Sequence, residues 1–242
     1  MEFHVYESAR AACEAAGVLI AAQITRKGDS VLGLATGSTP IPAYEMLTQW
    51  YDRGVIDFDR VRTFNLDEYV GIDHKNPLSY HAFMQEHLFS KVNLRKENVH
   101  LPSGNAAVDV QAYDQAIHDA GGIDIQLLGI GRNGHIGFNE PDNCFAKGTH
   151  CVELTESTIE ANKRFFASED EVPRRAYSMG IHTIMTAKKV LVVASGEDKA
   201  WAIRESCFGP VTPRVPGSIL QLHNDAIVIA DEAALSLCGD FL

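Results

Sequence analysis

The sequence has no long apolar run and no secretory-type start. No stretch reaches the ~18 consecutive apolar residues that a membrane-spanning helix needs. The first residues also lack the basic segment followed by an apolar one that marks a secretory signal. We therefore expect a cytoplasmic protein that makes no membrane contact.

The sequence also lacks paired cysteines and histidine motifs. Its five cysteines are odd in number and never form a CxxC pair, which argues against a disulfide framework and against a zinc ribbon. The ten histidines show no HExxH motif and no other metal-ligand spacing. We expect reduced thiols and no metal site.

Basic residues are scarce. The chain has 21 Lys and Arg against 32 Asp and Glu, which gives a net charge of −11, and it has no block of Lys or Arg. This charge repels a phosphodiester backbone, so we exclude nucleic acid as a partner. A small anionic ligand would need a local pocket of backbone N–H groups and a few cations.

The composition, by contrast, suits one large core. Apolar residues make up 45% of the 242, and no Pro/Gly/Ser-rich linker divides the chain, so we expect a single domain over residues 1–242. Strand and helix patterns alternate, which is typical of an α/β protein. The prediction is a Rossmann-like fold, with a mainly parallel twisted sheet and helices on both faces.

The pattern predicts strands at 31–35, 61–65, 123–129, 190–195 and 226–230. It predicts helices from about 8 to 24 and at about 40–53, 78–90, 106–120, 156–166, 197–207 and 231–237. Ligands of such sheets bind at the loops that leave the carboxyl ends of the strands.

The first such loop lies in LGLATGSTP, residues 32–40, where Thr36, Gly37, Ser38 and Thr39 precede a proline that favours a helix start. A glycine turn, hydroxyl groups and free helix N–H groups together form a phosphate cradle. It is not a Walker A loop, because GxxxxGK[ST] is absent. A plain helix N-cap is the alternative.

A second indication of anion binding follows the strand predicted at 190–195. Lys199 falls in the first turn of a predicted helix, where the helix dipole disfavours a cation. A bound anion would remove this conflict. The alternative is a solvated lysine whose charge is offset by Glu197 and Asp198.

Another loop, FNLDEYVG at 64–71, places Asp67 and Glu68 just past a strand end. A carboxylate held there with partial desolvation can act as a base toward a carbon acid. An aspartate that caps a turn or a helix is the alternative.

The stretch GIGRNGHIGFNEP at 129–141 delivers His135 and Glu140 within six residues, directly after an apolar run. An imidazole and a carboxylate this close suggest proton transfer. The glycines also match the GxGxxG dinucleotide fingerprint, but Pro141 and turn-forming residues follow where a long helix should begin. We interpret the glycines as room for a substrate and for the His135 backbone.

Taken together, LGLATGSTP, FNLDEYVG and GIGRNGHIGFNEP, in this order, resemble the glucosamine-6-phosphate deaminase family, also called glucosamine-6-phosphate isomerases. The resemblance runs from about residue 4 to about 236 and includes LVVASGEDKA at 191–200. The GIGxxGH core is shared with 6-phosphogluconolactonases. The resemblance implies conversion of D-glucosamine 6-phosphate and water to D-fructose 6-phosphate and ammonia in amino-sugar catabolism, by an amino-sugar isomerase/hydrolase without metal or cofactor.

The resemblance also implies residue roles. Asp67 matches the residue that removes the C2 proton, His135 the histidine that assists opening of the pyranose ring, and Glu140 its carboxylate partner. Phosphate binding is carried over to Gly37, Ser38, Thr39, Arg164 and Lys199, with Thr36 in the same loop.

Two positions depart from the enteric-type, allosteric relatives. Asn133 stands where those enzymes have an aspartate. It would still orient His135 by accepting a hydrogen bond. We expect proton transfer through His135 and Glu140 to be weaker than in those enzymes, with ring opening retained. His150 and Val152 stand where those relatives have basic side chains that bind N-acetylglucosamine 6-phosphate, and the sequence ends without their longer carboxyl tail. We expect no such activation, and either a monomer or a homo-oligomer.

Residues of about 152–175 are predicted to form a lid over the sugar.

Two alternatives compete with the deaminase. A 6-phosphogluconolactonase-like hydrolase would not need a base at C2, which the FNLDEYVG loop supplies. A non-catalytic sugar-phosphate sensor would need cations and donors, but not Asp67, His135 and Glu140 together.

Overall fold

A seven-stranded sheet forms the centre of the molecule. The structure is a computed structural model, and it describes residues 1–102, 110–163, 166, 168, 171–239 and 241. All neighbouring strands of this sheet are parallel, in the order β1-β10-β9-β6-β2-β3-β5. Their bounds are β1 Glu2–Tyr6, β2 Val31–Leu34, β3 Arg62–Asn65, β5 Val99–His100, β6 Ile125–Leu128, β9 Lys189–Ala194 and β10 Ala226–Asp231.

Helices connect the strands. In the described residues they are α1 Ala9–Arg26, α2 Ile41–Asp52, α3 Tyr80–His87, α4 Val110–Asp119, α5 Glu156–Asn162, α6 Ile181–Met185 and α7 Ala200–Phe208. The first helix starts at Ser8, whose hydroxyl accepts the Ala11 N–H at 3.3 Å. A short 3₁₀ turn, Glu197–Lys199, precedes α7. No helix in the described part of the chain has the length and apolar content that a bilayer crossing requires.

The predicted fold class is confirmed. Every residue of β2, β6 and β10 is buried, so elements cover both faces of the sheet. The five predicted strands are all present, with bounds that differ by one or two residues. The long apolar runs could be identified because a doubly covered parallel strand needs an apolar side chain at nearly every position.

A second, antiparallel sheet was not predicted. It has the order β4-β8-β7, with bounds β4 Asp67–Tyr69, β7 His150–Glu153 and β8 Arg175–Ser178. Its strands are three or four residues long and carry polar residues, so they give no apolar run. A separate apolar cluster packs on it, formed by Tyr69, Phe138, Leu154, Ile159, Val172 and Ala176. We call this group the satellite cluster.

The helix predicted at about 231–237 is wrong. Asp231 is still part of β10, and the residues after it form successive turns in which N–H groups bond to the carbonyl three residues earlier, as in Leu235 to Glu232 and Cys238 to Leu235. The Asp231 carboxylate accepts the N–H groups of Ala234 and Gly196. This side chain fixes the turn, and an amphipathic pattern of seven residues does not override it.

Other differences are matters of extent. The edge strands β1 and β5 and the short helix α6 were not predicted, since each is short or half exposed. The helix predicted at 106–120 is described from Val110 onward, and residues 106–109 lie outside the described residues. The helix predicted at 156–166 is described as α5, which ends at Asn162.

Candidate active site

The loops singled out by the sequence meet at the carboxyl edge of the parallel sheet. Ser38 and Thr39 of the loop after β2 line one cavity of about 290 Å³ together with Ser195, which follows β9. Arg132, after β6, donates through Nε to the Asp198 carboxylate after β9 at 2.8 Å. The loops after β2 and β9 thus share a cavity, and the loops after β6 and β9 are hydrogen-bonded.

Asp67 lies where the chain passes from the large sheet to the small one. Only Leu66 separates β3 from β4, and Leu66 is bonded through its N–H to Leu34 and through its carbonyl to Met179. This junction buries the Asp67 side chain, and the residue is 7% exposed. Among the described residues, no donor hydrogen-bonds to its carboxylate.

Burial and the nearby charge of Glu68 raise the pKa of Asp67 to about 8. The Asp67 carboxyl group is therefore a stronger base than an ordinary aspartate, and it lies in a position with little access to water. A buried carboxylate without compensating hydrogen bonds is costly for stability, and such costs are typical of catalytic groups.

Glu68 has a structural role, because its carboxylate binds backbone N–H groups. Its carboxylate accepts the backbone N–H groups of Tyr69, Tyr80 and His81 at 2.9–3.0 Å, and two of these begin α3. It therefore caps the helix, as a carboxylate does at a positive helix terminus. The two adjacent acids of FNLDEYVG thus differ: Glu68 is fully hydrogen-bonded and Asp67 is not.

His135 and Glu140 form a pair on the loop after β6. The His135 Nδ1 lies 3.2 Å from the Glu140 Oε2, and the side chains are 21% and 8% exposed. Burial by itself would raise the pKa of Glu140, but hydrogen bonds from His135, Thr158 and Asn133, with the charge of His135, lower it to about 2. An ionised carboxylate only accepts, so His135 donates from Nδ1 and keeps Nε2 for a substrate.

Asn133 accepts a hydrogen bond from His135, as expected, and it also donates one to Glu140. Its Nδ2 donates to Glu140 Oε2 at 2.7 Å, and its Oδ1 accepts the backbone N–H of His135 at 3.1 Å. The asparagine therefore holds the carboxylate and the histidine backbone, and it does not accept from the imidazole ring.

The glycines of this loop are explained by close packing. A Cβ at Gly131 would lie 2.3–2.5 Å from the imidazole atoms of His135, so it is the ring, more than the backbone, that needs this room. Gly134 and Gly137 have positive φ angles of 82° and 58°. No helix follows Gly134, which agrees with our rejection of the dinucleotide fingerprint.

Gly137 also shows that Asp67 and the histidine loop are neighbours. A Cβ at Gly137 would lie 4.0 Å from Asp67 Oδ2 and 2.9 Å from Ser178 Oγ. Ser178 pairs with Asp67 across β4 and β8, and its hydroxyl accepts the N–H of Phe138 at 3.0 Å. Ser178 thus ties the strand of Asp67 to the loop of His135, a role that its sequence context did not reveal.

We expect Gly131→Ala to lower kcat by about tenfold or more, because the added methyl group must displace the His135 ring from Glu140, and even small misplacements of catalytic groups are costly. The folded structure should persist, so the melting temperature should change by only a few degrees. Steady-state kinetics and thermal unfolding test this. Wild-type kcat in this variant would mean that the ring position does not matter for turnover.

The proposed phosphate loop has the required backbone. Gly37 has φ +94°, which favours glycine, and Ser38 is exposed. Lys199 occupies the N-cap position of α7, and the turn before it contains Gly196 with φ +87°. Asp231 fixes that turn by accepting the Gly196 N–H, a contact that sequence reasoning missed. Arg164 lies outside the described residues.

Among the residues that the structure describes, no three His, Cys, Asp or Glu side chains are grouped so that they could hold a metal ion. The polar groups at the sheet edge are suited to proton transfer and to an anion. A buried carboxylate, a His–Glu pair and a phosphate-type loop on an α/β sheet define an acid–base enzyme.

Sequence comparison places the chain in a family. The profile described as glucosamine-6-phosphate isomerases/6-phosphogluconolactonase matches residues 5–229. The protein belongs to this family.

Individual relatives agree with this. A glucosamine-6-phosphate deaminase of Clostridioides difficile (strain 630) is 57% identical over 224 residues, or 91% of this chain and 90% of that protein. One of Alkaliphilus oremlandii (strain OhILAs) is 49% identical over 241 residues, or 98% and 100%.

Solved structures are similar over the whole fold. A monomeric glucosamine-6-phosphate deaminase superposes with a TM-score of 0.95 at 40% identity and covers 98% of this chain and 100% of its own. A 6-phosphogluconolactonase from Thermotoga maritima superposes with a TM-score of 0.72 at 17% identity, over 96% of this chain and 99% of its own, and shares the fold.

Proposed function

We propose that the protein is a glucosamine-6-phosphate deaminase, which converts D-glucosamine 6-phosphate and water to D-fructose 6-phosphate and ammonia. The observation that carries this is the buried Asp67 carboxylate, which has no described hydrogen-bond donor and lies next to the loop of the His135–Glu140 pair. The names of the relatives support the same activity.

His135 acts first in the proposed mechanism. The closed pyranose must lose a proton from the anomeric hydroxyl and gain one at the ring oxygen before C1 becomes an aldehyde. Glu140 holds Nδ1, so the free Nε2 of His135 carries this proton. Asn133 keeps Glu140 in place during the transfer.

Asp67 then removes the proton from C2 of the open-chain aldehyde. The electrons of the C–H bond form a C1–C2 double bond, while the π electrons of the C1 carbonyl move to its oxygen, which takes a proton, and this gives an enolamine. A proton returned to C1 leaves an imine at C2, and addition of water to this imine releases ammonia and leaves the ketone of fructose 6-phosphate. The bond changes at C1 and C2 are those of an isomerase, and the term hydrolase describes only the last step.

The phosphate group is proposed to bind at the backbone N–H groups and hydroxyls of residues 36–39, with Lys199 and Arg164. Gly37 permits the turn, and Ser38 and Thr39 line the cavity. This arrangement lets an acidic protein bind an anionic substrate through a local positive site. Since a phosphorylated sugar does not cross membranes unaided, we propose a cytoplasmic location.

Lys199→Gln is expected to raise KM by about 10- to 100-fold and to change kcat less, because a charge-assisted contact to phosphate is worth about 1.5–3 kcal/mol. Initial rates over a range of substrate concentrations measure both constants. Lys96→Gln, in an exposed 3₁₀ turn, is the control and should behave as wild type. An unchanged KM for Lys199→Gln would remove this residue from the phosphate site.

Residues of about 152–175 are proposed to cover the bound sugar. This segment begins in β7 and ends in β8, which pair with each other, so its two ends are fixed. Among its described residues, Leu154, Ile159 and Val172 belong to the satellite cluster, and Val152 and Phe166 pack against it.

We expect no activation by N-acetylglucosamine 6-phosphate. Val152 packs against the satellite cluster, and the His150 imidazole is bonded to the Gly148 carbonyl at 3.0 Å. These two positions therefore do not supply the two basic side chains that would bind the phosphate of this compound. Rate curves should be hyperbolic with and without this compound. Sigmoidal curves that the compound makes hyperbolic would contradict the proposal.

The decisive assay incubates the protein with glucosamine 6-phosphate and measures ammonia and fructose 6-phosphate in equal amounts. The lactonase alternative is tested in parallel with 6-phosphogluconolactone, and the sensor alternative predicts binding without turnover. Lactone hydrolysis without ammonia release would replace the proposed function.

A further inference from the structure

Two threonine hydroxyls of the α5 region reach the Glu140 carboxylate from outside its own loop. Thr158 Oγ1 donates to Glu140 Oε1 at 2.5 Å, and Thr155 Oγ1 lies 3.3 Å from the same oxygen. His135 and Asn133 occupy the other oxygen, Oε2. Oε2 of the carboxylate therefore bonds within the histidine loop, and Oε1 bonds to the threonines at the start of α5.

The two threonines are also bonded to each other. Thr155 Oγ1 lies 3.1 Å from Thr158 Oγ1, and Thr155 is the N-cap of α5, where it accepts the Thr158 N–H. Each hydroxyl has a single proton. Thr158 gives its proton to Glu140, and Thr155 can give its own to Thr158, which forms a chain that ends at the carboxylate.

Burial makes this chain of hydroxyls effective. Thr158 is 6% exposed, and the neighbouring Ile159 packs in the satellite cluster beside Phe138, two residues before Glu140. The Glu140 side chain is only 8% exposed, so water would not easily replace a missing hydroxyl. Hydrogen bonds to a buried charge are among the stronger ones in proteins.

We propose that Thr158, supported by Thr155, is a positioning residue that holds the Glu140 carboxylate in place for proton transfer through His135. Its catalytic meaning rests on the proposed function. Among the described residues, Glu140 contacts one titratable side chain, His135, and the uncharged Asn133, Thr155 and Thr158. The contact therefore acts on the geometry of one charged pair.

The test compares variants at position 158. Thr158→Val keeps the branched shape and removes the hydroxyl, and we expect kcat to fall about tenfold with KM unchanged. Thr158→Ser retains the hydroxyl and should keep most of the wild-type kcat. Thr48→Val is the matched control and should keep wild-type kcat, since among the described residues the hydroxyl that it removes bonds to the Tyr44 carbonyl of the same helix.

A double-mutant cycle with Glu140→Gln separates positioning from a general structural effect. If Thr158 acts through Glu140, then Thr158→Val should cost little more once Glu140 is already replaced. Full multiplication of the two losses would overturn the proposal, and so would wild-type kcat in Thr158→Val.

A measurement without turnover distinguishes this proposal from the proposed function. The His135 Nδ1–H proton, followed by NMR, should exchange faster with water in Thr158→Val than in the wild type or in Thr158→Ser, because Glu140 no longer holds it firmly. Equal exchange in all three proteins would overturn the positioning role. A wild-type protein that does not deaminate the sugar, yet shows this exchange difference, would refute only the proposed function.

Discussion

Replacing Asp67 by asparagine should lower kcat by about 10²- to 10⁴-fold, the usual contribution of a positioned base. The amide has nearly the same shape, but it cannot accept the C2 proton. Exchange of the C2 hydrogen of the substrate with deuterated water should stop. Binding should persist, since Asp67 is not part of the phosphate loop.

The same substitution should stabilise the protein. The pKa of Asp67 is about 8 when folded against a reference of 3.8, so between these values the native state holds a proton that the unfolded state has released. The stability of the wild type therefore falls as pH rises through this interval, and asparagine has no such charge. The melting temperature of Asp67→Asn should exceed that of the wild type by a few degrees at pH 8.5, with a smaller difference at pH 5.

The pH profile provides a further readout of the same residue. Asp67 must be ionised to act, so kcat/KM of the wild type should rise with pH until about 8.

Glu68→Gln is the comparison variant at the neighbouring residue. It removes a charge that raises the pKa of Asp67, so the rise of kcat/KM should move to lower pH. This variant should lose about 1–3 kcal/mol of stability, because an amide cannot accept all of the bonds that cap α3. Full activity in Asp67→Asn would refute the assignment of the base.

Replacing His135 by asparagine should lower kcat by about 10²-fold or more, since the closed sugar must open through a proton transfer that this residue carries. The polar asparagine side chain can still face Glu140, so the loop should remain folded. Steady-state kinetics with glucosamine 6-phosphate measure the loss.

An open-chain probe distinguishes a defect in ring opening from a defect in binding. The alditol 2-amino-2-deoxy-D-glucitol 6-phosphate has no ring to open, so it should bind to His135→Asn as tightly as to the wild type. Calorimetric titration gives both affinities. A large loss of alditol affinity would assign His135 to substrate binding instead.

The sequence alone determined the parallel sheet and the identity of the loops. The apolar strands at residues 31–34, 125–128 and 226–231 are buried on both faces, which forces a continuous apolar run that is readable without a structure. The GIGRNGH stretch ruled out a dinucleotide turn because no helix pattern follows it. His135 and Glu140 are close in sequence, so their pairing was also predictable.

Only the tertiary structure decided which of the two acids, Asp67 or Glu68, has hydrogen-bond donors to its carboxyl group. Asp67 and Glu68 are adjacent and similar in sequence, but the one-residue passage between the two sheets buries Asp67 and turns Glu68 toward the start of α3. The contacts of Ser178 and Thr158 with the histidine loop likewise join residues that are 18 to 40 positions apart. Such contacts depend on how the short antiparallel sheet folds back over the parallel one, and its polar strands of three or four residues carry no pattern that reveals it.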